Sequence, residues 1–405
     1  MKILFIILDG LGDRPIKELG NKTPLEAAQT PNFDFLARNG ICGLIAPCYQ
    51  GAFPTSKDAH LSLFGYNLKK YGMGRGVFEV LGIGMKLKKE DIALRGNFAT
   101  VDKNLKIIDR RAGRIQNPEP LIKSLQGMEI EGVRFLLGKG VSHRLGIIMR
   151  PSKGKSLSEK ISDGDFHILK IKAPKIKPLE KKEEAVFTAR VLNKFLEKSH
   201  QILDQHPLNK KRAKKGLLKA NYILVREAGR LNHLPSFEEK WKMRSCCIAG
   251  GTLYKGIGKA LGMKLIKVKG ATGKSDTNLR GKFQAALRAL KKYDFCYLHI
   301  KATDNFGHDG DFEGKKKFIE KIDKNLSTLL KLKNVLIIIT GDHSTPCKVK
   351  EHTSDPLPVL LYGLGKDKVE KFSEKECKKG KLGKIKSIDF LKKVFKMEER
   401  FKKLN

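Results

Sequence analysis

Acidic residues and histidines recur in this sequence where apolar runs end or begin. They stand at four places: Asp9 after one run, Asp304 with His308 after a second, Asp342 with His343 after a third, and His352 before a fourth. Carboxylates gathered in one cleft repel one another unless a cation balances them. Oxygen and imidazole ligands suit Mn²⁺, Mg²⁺ or Zn²⁺, and the histidines favour manganese or zinc. Six such ligands are too many for one open metal site and suit two sites. Two metal ions close together can bind the attacking and the leaving oxygen of a phosphoryl transfer.

Each of these motifs also has an ordinary structural explanation when it is taken alone. Asp9-Gly10 is a common turn, and Asp342-His343 could lie in a surface loop. Asp304 and His308 could form a chance pair, four residues apart on one face of a helix. Only their joint position at the ends of apolar runs favours a common site.

A nucleophile for phosphoryl transfer is expected near these ligands, and Thr55 and Ser56 offer two adjacent hydroxyls. A serine bound to a metal ion loses its proton more easily and can attack phosphorus. Ser56 also fits the N-cap of a helix that begins there. The two roles are compatible, because the N-terminus of a helix favours negative charge.

The elements that must position these residues follow from the apolar runs. Continuous apolar runs are typical of strands that are buried on both faces of a parallel sheet. Such runs cover 2–8, 295–300, 335–340 and 357–362. Helical patterns alternate with them, with starts at Thr23 and Thr30 and a further helix over 279–290. The alternation predicts an α/β fold with a mostly parallel sheet and helices on both faces, whose strands share one crevice at their carboxyl ends.

The middle of the chain has a different pattern and predicts a smaller inserted α+β domain. Short apolar segments with turn residues between them cover 97–101, 106–108, 132–137 and 145–149, a long amphipathic helix covers 183–205, and further strands cover 221–225 and 246–249. The lysine- and proline-rich segment 168–178 reads as a linker or lid. We expect a metal-binding domain formed by 1–88 and 236–405, and a substrate-binding insert over 89–235.

Charge and cysteine content limit the classes of protein that remain. The chain has 82 basic and 43 acidic residues, a net charge of +39. The lysines are spread along the chain and no RNA-binding aromatic motif or zinc finger is present, so we expect no specific nucleic acid. A lysine-rich cytosol or the surface of a thermophile's protein explains such a charge, and the same charge can attract a polyanionic small substrate such as a phosphate ester. The seven cysteines contain no C-x-x-C pair, which argues against a zinc ribbon. The first apolar run is too short for a membrane span, and we expect a cytoplasmic protein with reduced thiols.

Longer motifs surround the candidate ligands. They are Ile7 to Pro15, Ser56 to Leu63, Gly74-Arg75-Gly76, Asn97 to Asp102, Asp109 to Arg114, Ile248 to Gly251, Gly270 to Gly273, Thr303-Asp304, Gly307 to Lys315 and Gly341 to Pro346. With these motifs the chain resembles, nearly end to end, the archaeal type of cofactor-independent phosphoglycerate mutase in the alkaline phosphatase superfamily. The metal-site stretches are specific to the superfamily, and the arginine and glycine stretches are specific to the mutase branch.

The resemblance implies a role for each candidate residue. Ser56 would be the phosphorylated nucleophile. Asp304, His308 and His352 would hold one metal ion; Asp9, Ser56, Asp342 and His343 would hold the other; Arg110, Arg111 and Arg114 would clamp phosphate and carboxylate; Arg226 and Arg230 would be further substrate arginines; Lys255 would neutralise the transferring phosphoryl group.

The chain departs from the family pattern at two places. Relatives usually have Gly-Ser-Asp followed by a small residue where this chain has Thr55-Ser56-Lys57-Asp58, which makes Thr55 a rival hydroxyl. Phe166 stands where a proline usually precedes the histidine, here His167.

The resemblance implies interconversion of 3-phosphoglycerate and 2-phosphoglycerate without a bisphosphoglycerate cofactor. Ser56 would take the phosphoryl group, and the retained glycerate would reorient while a closing second domain excludes water. Two divalent ions would serve as cofactors, Mn²⁺ first, with Mg²⁺, Co²⁺ or Zn²⁺ as alternatives; the oligomeric state stays open. Two other functions remain open at this point: a related phosphotransferase or phosphatase, for example a homoserine kinase-like enzyme, and a basic nucleic-acid-associated protein.

Overall fold

The computed structural model of the chain describes residues 1–49 and 53–404. The strands are, in chain order, β1 (Lys2–Leu8), β2 (Gly40–Ala46), β3 (Ile92–Val101), β4 (Ile107–Asp109), β5 (Glu129–Ile130), β6 (Val133–Lys139), β7 (Arg144–Pro151), β8 (Tyr222–Arg230), β9 (Ser245–Ile248), β10 (Lys264–Leu265), β11 (Phe295–Ile300), β12 (Val335–Thr340), β13 (Leu357–Tyr362) and β14 (Lys384–Lys386). The chain forms two compact units, Met1–Gly72 with Pro235–Asn405 and Met73–Leu234. The domain limits expected from the sequence, with an insert over 89–235, stay a prediction.

The helices follow the same chain order. They are α1 (Pro24–Ala27), α2 (Pro31–Arg38), α3 (Ser56–Leu63), α4 (Leu68–Tyr71), α5 (Arg75–Gly82), α6 (Glu119–Leu125), α7 (Glu183–Gln205), α8 (Pro207–Lys214), α9 (Phe237–Trp241), α10 (Thr252–Ala260), α11 (Leu279–Ala289), α12 (Ala302–Asp309), α13 (Phe312–Leu326), α14 (Glu374–Cys377) and α15 (Ser387–Leu404). Short 3₁₀ turns cover Lys17–Leu19, Ala112–Arg114 and Ser327–Leu329. Within 1–49 and 53–404, no helix has both the length and the apolar character needed to cross a membrane.

The first unit is built on a mostly parallel sheet. Among the described residues it has eight strands, in the order β10-β9-β11-β1-β12-β13-β2-β14. β1 pairs in parallel with β11 on one side and with β12 on the other, and its residues from Ile3 to Leu8 are all buried. Phe33, Phe283 and Phe318, from α2, α11 and α13, pack into the same core. The predicted α/β class is therefore confirmed, because the three apolar runs that end in candidate ligands form adjacent parallel strands.

One strand direction differs from the sequence-based expectation. The run 357–362 looked like the other buried parallel strands, but β13 is antiparallel to β12, with Thr340 opposite Val359. The connection over 341–356 contains no helix, and parallel strands need a long crossover, so the chain returns antiparallel. As a consequence β13 begins at the edge of the sheet where β12 ends, which brings the preceding His352 to the same edge as Asp342.

The predicted helix starts are confirmed by local geometry. At α1 the Thr23 hydroxyl accepts from the Glu26 backbone N–H, and the Glu26 carboxylate accepts from the Thr23 N–H. This reciprocal pair satisfies two backbone donors that the first turn of a helix leaves free. α2 likewise begins at a proline, Pro31, directly after Thr30.

The second unit is an antiparallel sheet covered by helices. Its strands follow the order β4-β3-β7-β6-β5, and β8 also pairs with β3. Phe195 of α7 stacks on Phe135 of β6 with ring centroids 3.9 Å apart, and α7 has the limits predicted from its amphipathic pattern. β3 begins at Ile92 rather than at the predicted residue 97. The buried charged residue Arg95 interrupts its apolar run and concealed its first half.

Candidate active site

The first ligand group is formed by Asp304, His308 and His352. Asp304 and His308 lie one turn apart on α12, which follows β11 directly, and His352 lies in the loop before β13. The Nε2 atoms of both histidines lie 3.4 Å from Asp304 Oδ1 and 3.1 Å from each other.

The orientation of the two imidazoles suits a metal ion. His308 Nδ1 donates to the Lys350 carbonyl at 2.7 Å, and His352 Nδ1 donates to the Pro54 carbonyl at 2.8 Å. A carbonyl can only accept, so in each neutral imidazole the lone pair is on Nε2 and faces Asp304. Burial lowers the pKa of His352, and its contacts with Asp304 and the Pro54 carbonyl raise it; the net shift is upward, so a proton competes with the metal for this group.

The second group is formed by Asp9, at the end of β1, and by Asp342 and His343, at the end of β12. His343 Nε2 lies 3.5 Å from Asp9 Oδ1 and 3.2 Å from Asp342 Oδ2. Asp342 Oδ1 accepts from the backbone N–H groups of Gly10 and His343, both at 3.0 Å. Its other oxygen, Oδ2, is buried and has no hydrogen-bond partner among the described residues. A buried carboxylate oxygen that faces an imidazole lone pair is what a bound cation would satisfy.

Both groups therefore fit divalent metal by the chemistry of their donor atoms. In each group the three ligand atoms lie within 4.8 Å of one another. Thr345 joins the groups: its hydroxyl donates to Asp304 Oδ1 at 2.7 Å and accepts from His343 Nδ1 at 3.1 Å. Burial lowers the pKa of His343 to about 3, which keeps the imidazole neutral and its Nε2 free to bind metal. The sequence reasoning did not single out Thr345, although it lies in the quoted motif from Gly341 to Pro346.

A glycine lets these loops approach closely. Gly10 has φ +61°, and a Cβ added there would lie 2.6 Å from Thr345 Oγ1 and 2.7 Å from Asp304 Cβ. Any larger residue at this position would be strained and would displace the loop after β1 from α12.

The two candidate hydroxyls have different surroundings. Ser56 Oγ lies 3.2 Å from His343 Nε2, beside the second group. The Thr55 hydroxyl is used locally: it accepts from the Asp58 N–H at 3.3 Å and donates to the Asp58 carboxylate at 2.8 Å. Thr55 is thus the N-cap of α3, and the expectation that Ser56 is the cap was wrong. Ser56 occupies the first helical position, where its side chain is free to face the ligands.

Lys301 is a basic residue that the sequence reasoning missed. It follows β11 directly, and its Nζ lies 3.1 Å from Asp9 Oδ1 and also contacts the Asp304 carboxylate. Burial raises the pKa of Asp9, and Lys301 together with the hydrogen bond and charge of His299 lowers it, so the net shift is downward. Lys255, the lysine singled out from the sequence, lies in the middle of α10, and its predicted role stays a prediction.

A buried ion pair holds two of the site loops together. Lys315 of α13 is fully buried, and its Nζ donates to Asp13 Oδ2 at 2.8 Å, to the Gly12 carbonyl at 3.1 Å and to the Thr345 carbonyl at 3.0 Å. Asp13 in turn accepts from the Cys347 N–H at 3.2 Å. The pair therefore links the loop after β1, which carries Asp9, to the loop after β12, which carries His343.

The five predicted substrate arginines lie in the second unit and differ in the contacts that their guanidinium groups make with other residues. Arg110 donates to both oxygens of Asp165, at 2.6 and 2.8 Å. Arg226 contacts His167 and lies 3.8 Å from Asp165, whereas Arg230 binds the backbone carbonyl of Leu157. Within the described residues, the exposed side chains of Arg111 and Arg114 form no ion pair with an acidic residue.

Arg95 adds a buried positive charge that the sequence did not reveal. It lies opposite Arg226 across the β3–β8 pair, 3.9 Å from Glu79 and 3.8 Å from Glu227. Burial, and next the charge of Arg75, lower the pKa of Arg95 to about 9. Crowded guanidinium groups of this kind favour an anionic ligand. The signal that the sequence offered was a single arginine, Arg95, within the segment that forms β3.

Comparison with known proteins gives consistent results over nearly the whole chain. Residues 1–396 match the metalloenzyme superfamily. The chain is 46% identical over 400 residues to a 2,3-bisphosphoglycerate-independent phosphoglycerate mutase of Archaeoglobus fulgidus, and the alignment covers 96% of each chain. It is 44% identical over 410 residues to a 2,3-bisphosphoglycerate-independent phosphoglycerate mutase of Sulfolobus acidocaldarius, and that alignment covers 99% of this chain and 98% of the other. A solved cofactor-independent phosphoglycerate mutase of Thermoplasma acidophilum aligns with a TM-score of 0.72 at 35% identity, covering 98% of this chain and all of the other. A solved protein of Pyrococcus horikoshii aligns with a TM-score of 0.85 at 36% identity, covering 98% and 97%.

Proposed function

The chain belongs to the 2,3-bisphosphoglycerate-independent phosphoglycerate mutases of the metalloenzyme superfamily, and from this premise we propose that it interconverts 3-phosphoglycerate and 2-phosphoglycerate through a phosphorylated Ser56. The observation that carries the proposal is the position of Ser56 Oγ, 3.2 Å from a nitrogen of the second ligand group. The hydroxyl lies at the first turn of α3, where the helix dipole also favours negative charge on oxygen.

Two divalent ions, Mn²⁺ first, would bind the two groups. Asp304, His308 and His352 would hold one ion, and Asp9, Asp342, His343 and Ser56 would hold the other. When bound, such ions lower the pKa of a serine hydroxyl and stabilise the charge that develops on phosphate oxygens.

The chain's own residues then account for a balanced transfer. The Ser56 oxygen forms a bond to phosphorus as the bond between phosphorus and the C3 oxygen of the substrate breaks. The serine proton ends on that C3 oxygen, which gives phosphoserine and bound glycerate. After glycerate reorients, its C2 hydroxyl attacks phosphorus and the proton returns to Ser56. Water must be kept from the phosphoserine throughout, since its attack would release phosphate.

Removal of metal should abolish turnover of 3-phosphoglycerate, and added Mn²⁺ should restore it. The reason is that three carboxylates meet here and Asp342 Oδ2 accepts no hydrogen bond from the described residues. A coupled assay of 2-phosphoglycerate formation, before and after EDTA treatment and with metal content measured on the same sample, checks this. Full activity of a metal-free sample would contradict it, and a requirement for ATP or turnover of homoserine would favour a homoserine kinase-like enzyme instead.

The exposed arginines Arg111 and Arg114 should bind the carboxylate or phosphate of the substrate. Arg114→Ala should raise KM about tenfold or more, since a charged hydrogen-bonded pair is worth about 1.5–3 kcal/mol. Part of the turnover should also shift to phosphate release as glycerate escapes, which a phosphate assay detects. Arg134→Ala, which removes an exposed arginine of β6, is the matched control and should leave KM unchanged. If both Arg111→Ala and Arg114→Ala keep the wild-type kinetics, the clamp lies elsewhere.

A further inference from the structure

We propose that Lys301 is a positioning cation shared by the two ligand groups, and that it sets the affinity of the site for divalent metal against its affinity for phosphate. The phosphate half of this inference rests on the proposed function, which makes a phosphate monoester the substrate. The metal half stands without it.

The contacts of Lys301 carry the proposal. Its ammonium lies 3.1 Å from Asp9 Oδ1, in the second group, and contacts Asp304 Oδ2, in the first. In the described part of the chain, no other lysine or arginine forms an ion pair with a carboxylate of either group, and Lys301 pairs with both. Its side chain is 20% exposed, so the ammonium is largely shielded from bulk water. Charges in such a place are screened only weakly.

Lys301 is also fixed in place by the fold. It lies between the last residue of β11 and the first residue of α12, three positions before the ligand Asp304. β11 pairs in parallel with β1, with Ile300 opposite Leu8, so the residues after the two strands, Lys301 and Asp9, are held side by side. The contact with Asp9 therefore follows from strand register and not from a flexible side chain alone.

The charge balance of the site predicts the direction in which Lys301 changes each affinity. Three ligand carboxylates and two divalent ions together have a net charge of one positive unit. A phosphate monoester carries up to two negative charges near neutral pH, so its binding changes the net charge of the site to one negative unit. The ammonium of Lys301 cancels the remaining negative charge when phosphate is bound. Before phosphate binds, the same ammonium opposes the entry of metal. One residue thus weakens metal binding and strengthens phosphate binding.

Lys301→Met should therefore move the two affinities in opposite directions. We expect the Kd for Mn²⁺, titrated calorimetrically into EDTA-treated and dialysed protein, to fall about tenfold, as the loss of one adjacent charge implies. The Kd for inorganic phosphate, measured on protein saturated with Mn²⁺, should rise about tenfold. Lys301→Arg keeps the charge and should restore both values most of the way. Lys259→Met removes an exposed charge of α10 and should change neither.

A merely structural lysine would give a different result. Loss of structure would weaken the binding of Mn²⁺ and phosphate together, and that outcome, like unchanged affinities, overturns the proposal. Thermal unfolding adds a second readout: Lys301→Met should lower the Tm in EDTA, because Asp9 and Asp304 lose their cation, and should enlarge the rise in Tm on adding Mn²⁺. If Lys301→Met does not fold, Lys301→Gln replaces it in both titrations. Because neither titration depends on mutase turnover, an inactive but metal-binding protein would refute the proposed function and leave this inference testable.

Discussion

Replacing Ser56 by alanine should remove the phosphoenzyme and lower mutase turnover by on the order of 10⁴-fold or more, since the covalent route is lost altogether. Ser56 Oγ is the hydroxyl that faces the second ligand group, 3.2 Å from His343 Nε2. The fold should survive, because alanine is well tolerated at the first turn of a helix and the capping hydroxyl belongs to the preceding residue. The measurement is a coupled assay together with peptide mass spectrometry of enzyme trapped with substrate.

The neighbouring hydroxyl provides the matched control. Thr55→Ala should keep most of the turnover and all of the phosphate on Ser56, while the loss of the N-cap of α3 should lower the free energy of unfolding by about 1 kcal/mol. Lys57 should also be tolerant, because its ammonium pairs with Asp58 at 2.7 Å and not with a candidate ligand. Phosphate found on Thr55, or a fully active Ser56→Ala enzyme, would overturn the assignment of the nucleophile.

The position of the candidate site could be predicted from the sequence because strand ends could be predicted. In a sequence, buried parallel strands are unbroken apolar runs. Asp9 follows the first run directly, and Asp342 follows the run 335–340 after one residue. His352 was placed at the same edge although it precedes its strand, and this placement holds only because β13 is antiparallel. The direction of β13 depends on the absence of a helix between residues 341 and 356, which local patterns describe poorly.

What the sequence could not show are side-chain partnerships between distant segments. Lys301 contacts Asp9 across 292 positions of the chain, and no local pattern marks that contact. Arg110 was assigned to the substrate, but its guanidinium is held by Asp165, 55 residues away. The sequence suggested Ser56 as the N-cap of α3, whereas the hydrogen bonds show that Thr55 is the cap. Helix ends inferred from sequence patterns are uncertain by a residue or two. The roles of the candidate residues stay predictions that the experiments above address.

Lys315→Met should destabilise the protein by about 3–5 kcal/mol, because it leaves the carboxylate of Asp13 buried without its cation. Lys315 is fully buried and its three hydrogen bonds reach Asp13 and the carbonyls of Gly12 and Thr345. Methionine has a similar length and no charge, so the change removes the charge and the hydrogen bonds with little loss of packing. Urea unfolding of EDTA-treated protein measures the difference, provided that the m-value is unchanged.

The adjacent lysine distinguishes this buried pair from an ordinary surface charge. Lys316 lies on the same helix, and its ammonium is 3.6 Å from Glu313, with both side chains partly exposed. Lys316→Met should therefore change the free energy of unfolding by less than about 1 kcal/mol. The double variant Asp13→Asn with Lys315→Met should lose less stability than the two single variants together, because each single change already breaks the same pair. The affinity for Mn²⁺ should fall in Lys315→Met as well, since the pair ties the loop that carries Asp9 to the loop that carries His343. A loss of stability no larger than that of Lys316→Met would mean that these loops are held by their backbone contacts alone.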